Sequence, residues 1–89
     1  MRKISTEELR KREVINLCTG EKLGFPCELE IDADDGRILA IIVPHGNGFS
    51  FFGKKHEYII PWCKIDCIGE DTVLVKIPPN ELCKYECGK

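Results

Sequence analysis

The run Cys27-Glu28-Leu29-Glu30-Ile31-Asp32 alternates apolar and acidic residues without a break. A period of two marks a strand with one wet face, because successive side chains of an extended chain point to opposite sides. Cys27, Leu29 and Ile31 are therefore expected to face a core, with Glu28, Glu30 and Asp32 in water. Asp34-Asp35-Gly36 follows, and both residue types tolerate the left-handed backbone that a reversal needs. Beyond it, Arg37 to Pro44 is nearly all apolar and rich in β-branched residues. It is too short for a good helix and reads as a strand covered on both faces. Pro44 ends it, since proline lacks the donor that a ladder requires. A hairpin of this kind commits the chain to a β architecture.

The remaining segments agree. Glu13-Val14-Ile15-Asn16-Leu17 reads as a strand closed by Thr19-Gly20, and Tyr58-Ile59-Ile60 as a strand stopped by Pro61-Trp62. After a bend come Ile65 to Ile68, the turn Gly69-Glu70-Asp71 and a last strand from Thr72 to Ile77. Ser5 followed by Glu8 is a capping-box pattern, which predicts one short helical turn that holds only if Ile4 and Leu9 pack onto the body. Short strands with regularly spaced turns favour a barrel or sandwich over an α/β fold. Barrel closure also removes exposed strand edges. The expectation is one mostly-β domain, since 89 residues are too few for two cores. It is a small antiparallel β-barrel over residues 1–78 that begins with a short N-terminal helical turn. A cysteine-bearing tail, residues 79–89, follows Pro78-Pro79, with one helical turn capped by Asn80.

Charge narrows the classes of partner. The formal net charge is −2, whereas nucleic-acid binders draw most of their affinity from a basic surface. Arg2, Lys3, Arg10, Lys11 and Arg12 form a basic N-terminal arm, but Glu7, Glu8 and Glu13 dilute it into a solvated polar start. No stretch approaches the ~18 apolar residues of a membrane span. The start of the chain lacks the pattern of a secretory signal. The expected location is the cytoplasm.

Three stretches together carry a family likeness. The first is Glu13 to Leu17 with the following Gly-Glu-Lys-Leu-Gly at 20–24. The second is Leu29 to Asp32 through Gly36-Arg37-Ile38 to Val43-Pro44. The third is Phe51-Phe52-Gly53 with Tyr58-Ile59-Ile60-Pro61-Trp62, then Ile65, Ile68 to Asp71 and Val73-Leu74-Val75. In order and spacing they resemble the PRC-barrel superfamily, in particular its small YlmC/YmxH-like sporulation-associated branch. The likeness spans residues 4 to 77, and the Ile-Pro-Trp segment is its most telling part. It implies a compact β-barrel that acts as a docking module for proteins or ribonucleoproteins, as in the photosynthetic reaction centre H subunit and the ribosome maturation factor RimM, and not as an enzyme. The six cysteines and the tail beyond Pro79 depart from the pattern.

Those cysteines pose the main chemical question. Cys63-x3-Cys67 and Cys83-x3-Cys87 invite a four-thiolate zinc reading. An extended 63–67 segment would hold its ends about 13 Å apart, too far for one zinc unless the bend coils into a turn. Cys83 and Cys87 would share a face of a helical turn, and His45 or His56 could complete a site. Structural disulfides sit poorly with a reducing cytoplasm. The plain alternative is that Cys18, Cys27 and Cys67 are small buried hydrophobes.

Cysteine catalysis would need a base beside the thiol and a group to orient it, and the chain offers only His45 and His56 in a glycine-rich loop. Asp34-Asp35 and Glu70-Asp71 form turns before they form acid pairs. No phosphate-binding glycine motif is present. The segment His45 to Lys55 holds three glycines, three phenylalanines and two lysines. Phe49, Phe51 and Phe52 with Lys54 and Lys55 could anchor a protein interface, stack on bases, or plug one end of the barrel. Trp62 is expected in the core with its indole N–H bonded. The leading reading is a noncatalytic docking module without a cofactor, its partner a protein or a second copy of itself. Zinc or thiol-redox chemistry at Cys83 and Cys87, and association with RNA, are the alternatives.

Overall fold

The computed structural model describes residues 3–44 and 57–87. The α-helix α1, Thr6–Leu9, starts where the sequence pattern places it. The backbone N–H of Glu8 donates to the Ser5 hydroxyl, and that of Ser5 donates to the Glu8 carboxylate, both at 3.1 Å. Two of the donors that a helix start leaves unsatisfied are thereby used.

Among the described residues eight strands follow: β1 Glu13–Asn16, β2 Lys22–Gly24, β3 Glu28–Ile31, β4 Ile38–Pro44, β5 Glu57–Pro61, β6 Ile65–Ile68, β7 Thr72–Val75 and β8 Glu86–Cys87. Short 3-10 turns occupy Trp62–Lys64 and Leu82–Tyr85. The strands make two four-stranded sheets, β2-β1-β7-β6 and β3-β4-β5-β8. Among the described residues no ladder joins one sheet to the other, so the expected barrel is not closed by hydrogen bonds. The expectation of a wholly antiparallel fold is corrected at one seam. β1 and β7 run parallel, with Val14 opposite Val73 and Asn16 opposite Val75. Parallel neighbours need a long crossover, and here β2 to β6 lie between the two strands in sequence.

The core lies between the sheets. Val14, Val73 and Val75 of the first meet Ile41, Val43, Tyr58 and Ile60 of the second, with Ile77, Leu9 and Leu23 at the margins. Burying each such side chain is worth roughly 1.5–3 kcal/mol. The surface pairs Arg37–Asp35, at 3.3 Å, and Lys76–Asp66, at 3.6 Å, each add about 1 kcal/mol or less. Packing, not surface charge, therefore holds the fold.

One buried polar side chain fixes the core's edge. Asn16 Nδ2 donates to the Ile77 carbonyl at 2.9 Å, and Ile77 N–H donates to Asn16 Oδ1 at 3.1 Å. The amide thus stands in for a neighbouring peptide and pins Ile77 after β7 has ended. Cys18 N–H donates to the same Oδ1 at 3.2 Å, which fastens the β1–β2 turn. In that turn Gly20 has φ +75°. Where β2 approaches the end of β4, Gly24 has φ +119°, and a Cβ there would lie 3.1 Å from the Pro44 carbonyl oxygen.

Several expectations give way. Ile31 is 58% exposed, because the β3–β4 register shifts after Glu30: Glu30 faces Ala40 but Ile31 faces Ile38. Leu39 is left as the extra residue and is 50% exposed. β4 is therefore buried only from Ala40 to Val43. Cys18 and Cys67 are exposed thiols, not buried hydrophobes, since one lies in a turn and the other on an edge strand. Cys27 is half-buried. Trp62 is also half-buried and packs against the core from its rim. The C-terminal stretch returns to the body: Leu82 and Tyr85 pack on the core, and β8 pairs with β5. Its turn is preceded by Glu81 without a side-chain cap, so Asn80 does not take that role. The Glu81 carboxylate lies 3.6 Å from Lys64 Nζ instead.

Candidate functional site

The helix α1 lies across the gap between the edge of β3 and strand β6. Its capping box sets where the turn begins, and this brings Leu9 down onto the core. Arg12, just after the helix, donates from Nε to the Glu70 carbonyl at 2.8 Å and so ties this end to the β6–β7 turn. Beneath the helix is an apolar cavity of about 150 Å³, lined by Ile4, Leu9, Leu29, Ile38, Trp62 and Ile68.

Two open grooves flank it. One, about 310 Å³, runs between α1 and β3, with Leu9 and Arg10 on the helix side and Pro26, Leu29 and Ile31 opposite. The other, about 450 Å³, lies between the N-terminal segment and β6, where Lys3 and Arg12 face Asp66, Cys67 and Glu70. Ile31 lines the first groove and is exposed, and Leu39, the extra residue of the same register shift, is exposed as well. Phe25, in the link between β2 and β3, is likewise 50% exposed. The sequence pattern hides this site, since its alternation assigns Ile31 to the core. The available signal is the unbroken apolar run Ile38 to Val43, which is longer than strict alternation can bury.

Among the described residues, two titrating groups are displaced from their ordinary values. Hydrogen bonds from the Ser5 backbone and side chain, aided by Arg12 and Lys11, hold the Glu8 carboxyl below the usual glutamate range. Burial, with Glu86 and Glu21 nearby, pushes the Tyr58 phenol up. It is therefore neutral at physiological pH. Every buried side-chain nitrogen and oxygen among the described residues has a hydrogen-bond partner.

The candidate ligands divide among separate elements. Cys63 lies in the 3-10 turn after β5, Cys67 on β6, Cys83 in the second 3-10 turn and Cys87 on β8. The 63–67 segment does coil at its start. The C-terminal pair, in contrast, does not share one helical turn, because the chain extends at Glu86 to pair with β5. Among the described residues no three His, Cys, Asp or Glu side chains gather as a metal site. His45, His56 and the proposed contact residues Phe49, Phe51, Phe52, Lys54 and Lys55 lie outside the described residues. No described helix is long and apolar enough to cross a membrane.

Comparison with known proteins matches residues 1–82 to the PRC-barrel domain. The probable sporulation protein YlmC of Bacillus subtilis (strain 168) is 43% identical over 76 residues, covering 83% of this chain and 93% of that protein. An uncharacterized protein of Clostridium acetobutylicum is 35% identical over 71 residues, covering 80% and 82%. The uncharacterized protein YmxH of Bacillus subtilis is 32% identical over 73 residues, covering 80% and 86%.

Proposed function

The chain belongs to the PRC-barrel family, and from that premise we propose that it is a noncatalytic docking module that serves spore formation by holding a partner protein. The observation that carries this reading is the half-exposed apolar pair Ile31 and Leu39 beside the α1–β3 groove. A chain of this size has little apolar surface to spare, and side chains placed at a groove's rim are the kind that anchor an interface. The likeness to a probable sporulation protein supplies the process.

The test is genetic and chemical together. A photo-crosslinking residue at Ile31 or Leu39 should give the same adduct in sporulating cells, whereas one at Lys76, on the opposite sheet, should not. Ile31→Lys with Leu39→Lys should lower the count of heat-resistant spores as far as deletion of the gene does, at unchanged chain level. A normal spore count after deletion, with no adduct from either position, would sink the reading.

A further inference from the structure

β3 ends the second sheet, paired with β4 on one flank and with no strand on the other among the described residues. An edge strand directs alternate N–H and C=O groups outward, ready to pair with another extended chain. Here the α1–β3 groove runs along that edge and is floored by Leu9, Pro26, Leu29 and Ile31. We propose that the open edge of β3 takes up an extended, basic segment of a partner protein as an additional strand of the second sheet. This rests on the docking reading and adds the partner's chemistry to it.

The other edges are poorer hosts. β8 has two residues and β2 three, and Gly24 of β2 is pressed against the end of β4. The flank of β6 is faced by Lys3, Ile4 and Arg12. β3 has four residues, no proline and no lysine; its register shift comes only after Glu30, and α1 faces it across an open groove. In strand addition the main-chain bonds give affinity and the alternating side chains give selectivity. One set of the incoming side chains enters the groove beside Leu29, a groove of mixed polarity that Thr6, Arg10 and Glu28 also line. The other set lies beside Glu28 and Glu30, both exposed, while Asp32 at the end of the acidic row is half-buried and accepts from Asp34 N–H at 2.9 Å. An alternation of apolar and cationic residues fits both sides. Arg10 also lines the groove, but on the helix wall across from β3.

The same glutamates decide against a second copy of this chain. Two β3 edges pairing about a two-fold axis would set acidic residues against acidic residues, and like charges directly opposite are destabilising.

Full-length, isotope-labelled protein titrated with the peptide Lys-Val-Lys-Val-Lys-Val-Lys provides the test, read by amide NMR shifts and hydrogen exchange. The β3 amides and Leu9 should shift, and the outward amides of β3 should exchange more slowly. N-methylation along one edge of the peptide should weaken binding by about tenfold or more, since only main-chain bonding is removed. A peptide with glutamate in place of lysine should not bind. Charge reversal by Glu28→Lys with Glu30→Lys, both exposed sites, should invert that preference while leaving the melting temperature in place. Equal binding of methylated and unmethylated peptides would reduce the effect to simple charge attraction and overturn strand addition. Shifts centred on Asp66 and Glu70 would overturn the choice of edge while leaving the docking reading intact. Self-association lost on charge reversal would overturn the choice of occupant. The crosslinking test above judges the docking reading separately.

Discussion

The β1–β7 seam and the β3–β4 hairpin are both built from short strands of similar composition, yet they treat their surfaces in opposite ways. At the seam, Asn16 is fully buried and spends its whole side chain on Ile77 and Cys18. At the hairpin, the register shift leaves Ile31 and Leu39 half in water, and β3 has a strand on only one flank among the described residues. One region has nothing left to offer a partner, and the other has apolar area, hydrogen-bonding groups and charge in one place. Stability and interaction are thus assigned to different ends of the molecule, and substitutions can separate them.

The largest effect is expected at Asn16. Asn16→Leu keeps the branched outline of the side chain, but it leaves the buried N–H and C=O of Ile77 without partners, at roughly 1–3 kcal/mol for each group. About 4 kcal/mol in all is a large part of the stability of a domain this small, so the urea midpoint should collapse. A loss below about 1 kcal/mol would mean that the seam is not held by this amide. Asn16→Ala should do no better, since it adds a cavity to the same defect.

Why this residue escapes a reading of the sequence is physical. Asn16 sits within Glu13 to Leu17 at a position whose alternation partner, Val14, is a plain core residue. Nothing local shows that its partner will be Ile77, 61 positions away. The elements decided by local chemistry were legible: the Ser5–Glu8 box, the Asp34-Asp35-Gly36 reversal and the strands around Val14, Ile41, Ile60 and Val73. What depended on pairing between distant strands was not. The parallel β1–β7 register and the return of β8 to β5 follow from long-range contacts, and the β3–β4 shift, though local, leaves no mark in the alternation of residues 27–32. The candidate groove inherits this opacity, because it exists only where the displaced register turns Ile31 outward. Cys18 and Cys67 were misplaced for the same reason, a turn and an edge being hard to tell from a core strand by composition.

Gly24→Ala ranks second. It forces a side chain onto a backbone at φ +119° and within 3.1 Å of the Pro44 oxygen, which is backbone and cannot swing aside. A loss of about 2 kcal/mol is expected from strain of this kind, read as a lower melting temperature. Gly20→Ala, also at positive φ but with open space around it, should cost about 1 kcal/mol. If the two cost the same, the approach of β2 to β4 contributes nothing.

Next comes the cap that positions α1 over the groove. Ser5→Ala should cost about 1 kcal/mol and speed exchange of the Glu8 amide, while the Asn16-bonded amide of Ile77 stays protected. The pH dependence has a definite sign. The folded Glu8 carboxyl titrates below its unfolded value, so its contribution is complete above the ordinary glutamate range and is lost as pH falls through the lowered folded value. A carboxyl carbon titration of Glu8 should show that depression in the native chain and a smaller one in Ser5→Ala, which keeps the backbone donor but loses the hydroxyl. A Glu8 titration unchanged by the substitution would show that the box does not hold the helix start.

The smallest change in stability is expected at the hairpin, and it is the most informative about the contrast. Ile31→Thr and Leu39→Thr keep the β preference of the strand and remove apolar surface that is already half in water. Surface substitutions of this sort usually fall within about 0.5 kcal/mol of neutral, so denaturation midpoints should barely move. Ile41→Thr, opposite Ile60 in the same sheet, places a hydroxyl in a fully buried site and should cost several-fold more. If Ile31→Thr proved as damaging as Ile41→Thr, the hairpin would be part of the core in solution. The edge of β3 would then be closed to any partner. Near-neutral stability together with loss of the Ile31 and Leu39 crosslinks would instead show that these side chains are kept for what they touch outside the chain.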